Sequence, residues 1–84
     1  MIYKIYSVYD SKAEAYMQPS FMSAKGAALR SFTDAVNDSS HIFGKHPEDY
    51  SLFELGSFDD CSASFNLYAS PQSLGVGIEF IKEK

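Results

Sequence analysis

One segment of this 84-residue chain, and only one, repeats its apolar residues at helical spacing. Ala28, Leu29, Phe32, Ala35 and Val36 make a single stripe, while Gly26, Arg30, Thr33, Asp34 and Asn37 make the opposite face. Ser23 is suited to cap the start of this helix. Asn37, Asp38, Ser39 and Ser40 end it after Val36, and Arg30 and Asp34 are spaced to pair across one turn. Elsewhere the apolar residues read as strands. One helix covers one face of a sheet, so the strands decide what becomes of the other face.

Ile2 to Tyr9 is rich in Tyr, Ile and Val, which suit a pleated surface. Its faces are Ile2, Lys4, Tyr6, Val8 and Tyr3, Ile5, Ser7, Tyr9, and neither is cleanly polar. Such a strand is central, or its outer face meets a partner. Asp10, Ser11 and Lys12 form a turn, Ala13 to Met17 returns as a second strand, and Pro19 belongs at an edge or in a loop. Ile42 to Lys45 reads as a loop, and Pro47 as the start of a turn or short helical turn. Tyr50 to Leu55 is a strand, interrupted at Gly56 by a bulge. Asp59 to Ser64 is the polar turn of a hairpin whose return strand, Phe65 to Ala69, stops at Pro71. The tail from Ser73 to Lys84 reads as a short strand or extended segment, because Ile78 and Phe80 alternate with polar neighbours. The expectation is one domain over 1–84 of α+β class: a mostly antiparallel sheet of about four strands with one helix packed on one face.

Seven Phe and six Tyr are more than the core of so short a chain needs. The net charge is −4, and the deficit lies wholly in residues 43–84, where Lys45, Lys82 and Lys84 face seven acids. Nucleic-acid binding usually shows as a basic patch, so only the balanced first half could supply one. There Lys4, Lys12, Lys25 and Arg30 are the candidate phosphate contacts, and Tyr9 and Tyr16 the candidate stacking rings. The competing reading packs the tyrosines in the core or a subunit interface, with their hydroxyls wet. On that reading Tyr3 and Tyr9 are the candidates for self-association.

The stretch KHPEDYSLFELGSFDD at 45–60 gathers His46 with Glu48, Asp49, Asp59 and Asp60, near His41 and Cys61. It has neither C-x-x-C nor H-x-x-x-H spacing, which structural zinc favours. Turn chemistry accounts for every one of these residues. Acids beside Cys61 raise a thiol pKa and blunt its nucleophilicity, and no glycine-rich phosphate loop is present. The expectation is therefore no enzyme, no metal and no cofactor. A single cysteine leaves no disulfide within one chain. No signal peptide and no membrane-length apolar run is present, which points to a reducing cytoplasm and no membrane partner.

VYDSKAEAY at 8–16, Pro19 and Phe21, ALRSFTDAVND at 28–38 and KHPEDYSLFELGSFDD at 45–60 together resemble a known family. It is the small nonstructural protein of gokushoviruses, the single-stranded DNA phages of the Microviridae. The likeness runs over about residues 3–75, and the order VYD, R-x-F, P-E-D-Y-x-L-F, G-x-F-D is specific in combination. The resemblance implies a phage protein made in the host bacterial cytoplasm. It also implies an accessory role in single-stranded DNA replication or packaging, and the expected mode of action is binding to phage or host proteins, with any binding to single-stranded DNA weak. It carries over no catalytic residue. Two other readings remain open: a single-stranded DNA-binding module, and a host-directed interaction protein. The chain departs from the family pattern after Phe58, where the turn lacks Gly, and in its Gly-containing tail.

Overall fold

Antiparallel pairing organises the chain around its first strand. The computed structural model describes residues 1–82, so the last two residues of the tail lie outside the described residues. Strand β1 (Ile2–Asp10) has β4 (Tyr50–Asp59) on one side. On the other side β2 (Ala15–Tyr16) and β3 (Ser20–Met22) lie end to end. Strand β5 (Ser64–Val76) pairs outside β4, giving a sheet four strands wide with every pairing antiparallel.

Helix α1 (Lys25–Val36) lies on one face, with its stripe turned inward as its periodicity requires. Ala28, Phe32 and Val36 pack with Tyr6, Tyr50 and Leu52 of the sheet and with Phe43. Phe32 is 3% exposed, and its ring meets Phe43 at 5.7 Å and Phe80 at 5.5 Å. Burying Phe32 fully contributes on the order of 2 kcal/mol.

The architecture agrees with the α+β expectation, and its differences have local causes. The helix starts at Lys25 with Ala24 as an uncapped N-cap, not at Ser23, because β3 holds the chain extended through Met22. Arg30 and Asp34 form no ion pair. The second strand is shorter than Ala13–Met17 and is divided from β3 by Pro19, which cannot donate to β1. Residues 42–45 are a helical turn, α2 (Ile42–Lys45), not a loop. The Nδ1 of His41 accepts the Phe43 amide at 3.0 Å, which closes that turn and aims Phe43 into the core. A Cβ on Gly44 would stand 1.9 Å from the Asp38 carbonyl oxygen, so only glycine lets α2 press this close.

Strand β4 runs through Gly56 to Asp59, and the bulge expected at Gly56 falls one residue earlier, at Leu55, with Gly56 itself paired to Ile5. Strand β5 does not stop at Pro71: residues 68–71 step out of register opposite Leu55 and pairing resumes at Gln72. Pro71 is tolerated because β5 is an edge strand and the proline stands in a bulge. Beyond Val76 the tail turns into a 3₁₀ turn, Gly77–Phe80, instead of alternating as a strand. Phe80 there packs on Phe32, and Asn37 holds the tail by donating to the Phe80 carbonyl at 3.0 Å.

Candidate interaction surface

Directly paired residues of neighbouring strands share a face. The face away from α1 therefore follows from the register. It carries Tyr3, Ile5, Ser7 and Tyr9 of β1, with Tyr16 opposite Tyr9 and Phe21 opposite Ile5. From β4 come Ser51, Phe53, Gly56 and Phe58, and from β5 Phe65, Leu67 and Ser73. The rings gather into two triads. Tyr9, Tyr16 and Phe53 stand 4.9 to 6.3 Å apart at one end. Phe21, Phe58 and Phe65 stand 4.7 to 6.3 Å apart at the other. Between them Ser7 is buried, its hydroxyl donating to the Met17 carbonyl at 2.6 Å.

The second triad reveals the shape of the sheet. Phe21 and Phe65 belong to opposite edge strands, three strand spacings or roughly 14 Å apart in a flat sheet. Their centroids are 6.3 Å apart, so the sheet curls over this face and its rings lean together. The bulge at Leu55 permits the curl, and so does Gly56, where φ is +155° and a Cβ would meet the Asn66 carbonyl oxygen at 2.3 Å. Ile5, at the centre of this face, is 3% exposed, whereas Phe65 on the edge strand is 58% exposed. The hollow is filled by its own rings, and their outer halves form the surface.

Among the described residues, no acidic or basic side chain occupies a strand position on this face. The structure places the sequence candidates accordingly. Tyr3, Tyr9 and Tyr16 lie on the aromatic face. Lys4, opposite Met22 and Ser57, projects from the helix side. Lys25 opens α1 and reaches Glu54 at 3.9 Å, Arg30 is exposed on α1, and Lys12 lies in the turn after β1. The cations and the tyrosines are thus brought to different surfaces. Phe21, Phe53, Phe58, Phe65 and Leu67 were not anticipated, although Phe58 and Phe65 flank the hairpin turn symmetrically.

A second concentration of chemistry lies under α1. Glu54 is 5% exposed and accepts a hydrogen bond from the Tyr68 hydroxyl on Oε2. The Tyr6 hydroxyl beside it is buried with no hydrogen-bond partner among the described residues, as is Glu54 Oε1. The Tyr68 phenol is pushed up chiefly by its hydrogen bond to Glu54, with the nearby Lys4 ammonium opposing. Burial pushes Tyr6 up, and the Glu54 charge adds to it. This cluster fastens the bulged part of β5 to β4 and to the start of α1.

The acidic stretch at 45–60 divides between the two ends of β4. His46, Glu48 and Asp49 cluster around the 3₁₀ turn Pro47–Asp49, while Asp59, Asp60 and Cys61 cluster at the hairpin turn. A ten-residue strand, roughly 33 Å long, separates the two groups, so they form no common centre. The hairpin-end acids are engaged: the Met1 amine donates to Asp60 at 2.5 Å, and Asp59 accepts the Cys61 amide at 2.9 Å. A cleft of about 250 Å³ also opens between α1, α2 and the sheet, lined mainly by Val8, Met22, Phe32, Phe43 and Leu52. No helix of the described residues is long and apolar enough to cross a membrane.

The family model described as "Phage ORF5 protein" matches residues 3–80. A curated relative, "Protein ORF5" of Chlamydia phage 1, is 42% identical over 64 residues, which cover 71% of this chain and 67% of the relative. No solved structure matches significantly. The family match takes in residues of every strand and helix described above, including both triads and the Glu54 cluster, and agrees with the gokushovirus resemblance of the sequence: the chain belongs to the phage ORF5 protein family.

Proposed function

We propose that this protein is a non-enzymatic accessory factor of the phage's single-stranded DNA replication or packaging stage. It works in the host bacterial cytoplasm by docking protein on the aromatic face of its sheet. The observation that carries this reading is the pair of ring triads on a face whose strand positions, among the described residues, hold no acidic or basic side chain. Exposed rings on one rigid surface are what protein interfaces use as anchors. A single-stranded DNA-binding role draws support from the same rings, since bases stack on them. It draws less from the charges, because Lys4 and Lys25 lie on the helix side and leave a phosphate chain on this face without counter-charge.

The test is infection with phage carrying Phe65→Glu on the aromatic face or Arg30→Ala on α1. Single-stranded genome and packaged particles are then counted. The face variant should lower one of them while the helix variant leaves both unchanged. Normal yields from a folded Phe65→Glu protein would refute the reading. Fluorescence anisotropy with a labelled oligonucleotide separates the DNA alternative: binding should be weak and fade with salt, and tight salt-resistant binding would favour it instead.

A further inference from the structure

We infer that the occupant of the aromatic face is a second copy of this chain, giving a two-fold dimer in which each copy supplies and receives the same rings. The inference rests on the reading of this face as a docking surface and names its partner.

Charge selects the face. The chain carries −4, so two copies repel wherever acids are brought together. The helix side and its connections present Asp34, Asp38 and Glu48, all exposed. The hairpin turn presents Asp60, and the turn after β1 presents Glu14. The helix side also carries Lys25 and Arg30, so a contact there would desolvate charges of both signs, whereas the aromatic face lets two acidic molecules meet without desolvating any. A basic partner would find no acid on this face to pair with, and a second copy needs none.

Area agrees. Tyr16 and Phe21 are each 45% exposed, Phe65 58% and Leu67 66%. With about 150–250 Å² per aromatic side chain, these four leave roughly 400 Å² open. The half-buried Tyr3, Tyr9, Phe53 and Phe58 add to this. A monomer's largest apolar patch is usually about 300–600 Å², and a stable interface takes about 800 Å² from each partner. The face therefore supplies the apolar centre of an ordinary dimer interface, and the polar margin of the sheet supplies its rim. Because the rings already pack against one another, they lose little freedom on docking, which favours association.

The experiment is light scattering and sedimentation equilibrium on the full chain, from about 1 to 100 µM. The expected species at the upper end has twice the 9.4 kDa chain mass. Phe65→Glu and Tyr16→Lys should each raise the dimer dissociation constant at least about 30-fold. Asn66→Glu, one residue along β5 but facing the helix side, should leave it within about threefold. Circular dichroism verifies folding, and Leu67→Lys replaces Phe65→Glu if that variant does not fold. A wild-type monomer throughout the range overturns the inference, as does a dimer indifferent to the face substitutions. The two readings fail separately. A monomeric wild type whose Phe65→Glu phage is defective keeps the docking surface and removes the second copy. A dimer broken by Phe65→Glu with normal phage yield keeps the dimer and removes the face from the infection role.

Discussion

The hydrogen bond between Tyr68 and Glu54 can be weighed by a double-mutant cycle. Glu54 is 5% exposed, so its carboxylate depends on the partners the fold gives it. Tyr68→Phe removes the donor to Oε2 and leaves that oxygen without its partner. A hydrogen bond to a charged group contributes about 1.5–3 kcal/mol, so the single change should cost about 2 kcal/mol. Glu54→Gln keeps the shape and an acceptor and should cost about 1 kcal/mol. With the charge already gone, Tyr68→Phe should matter less, giving a coupling energy of about 1–2 kcal/mol. Lys25→Met should cost only a few tenths of a kcal/mol, since that lysine is 57% exposed and stands 3.9 Å away. A chain of this length has about 4–13 kcal/mol of stability in all. The loss from Tyr68→Phe should then lower Tm by about 8–16 °C. Urea titration at constant m-value measures each corner of the cycle. Additivity within about 0.5 kcal/mol would refute the argument that this pair acts as one unit.

Two further outcomes follow from particular positions. Burial raises Tyr6 and Tyr50, and the Glu54 hydrogen bond raises Tyr68, so all three phenols are held protonated by the fold. An unfolded tyrosine ionises near pH 10, so their contribution is complete below about pH 10 and is lost as pH rises from there through the raised values. Tyrosinate absorbance should show late-titrating rings whose ionisation coincides with loss of structure; uniform titration of all six in a folded protein would contradict this. Gly56→Ala places a Cβ 2.3 Å from the Asn66 carbonyl oxygen and 2.7 Å from the Leu67 Cα, at a φ of +155°. It should cost about 3 kcal/mol by urea midpoint, and a loss under about 0.5 kcal/mol would show that the curl does not depend on glycine.

Periodicity made the helix and the paired faces of β1 legible, because both repeat over enough residues to stand out. The alternation along β1 sets Tyr3 and Tyr9 on one face with Ile5, and Lys4 on the other with Tyr6. Strict alternation by itself therefore separates Lys4 from the stacking candidates. Phe43 was hidden because a four-residue helix has no periodicity to read. The length of β5 was hidden because Pro71 signals an end, and only the unpaired outer side of the sheet makes it harmless. Phe21 was out of reach for another reason: its place depends on β3 joining β1 beyond Pro19, a pairing that no local pattern announces.

Strand β5 is the longest in the molecule at thirteen residues, and no strand of the described residues pairs with its outer side. Such an edge is the usual nucleus of fibre growth, all the more with Phe65 and Leu67 exposed beside it. Here the out-of-register segment at 68–71 divides it into Ser64–Leu67 and Gln72–Val76, with a proline between that has no amide to offer. Each remaining piece is shorter than the roughly six residues that stacked cross-β segments need. The bulge that brings Tyr68 to Glu54 thus has a second consequence: it interrupts the rail along which neighbouring copies would add strand to strand.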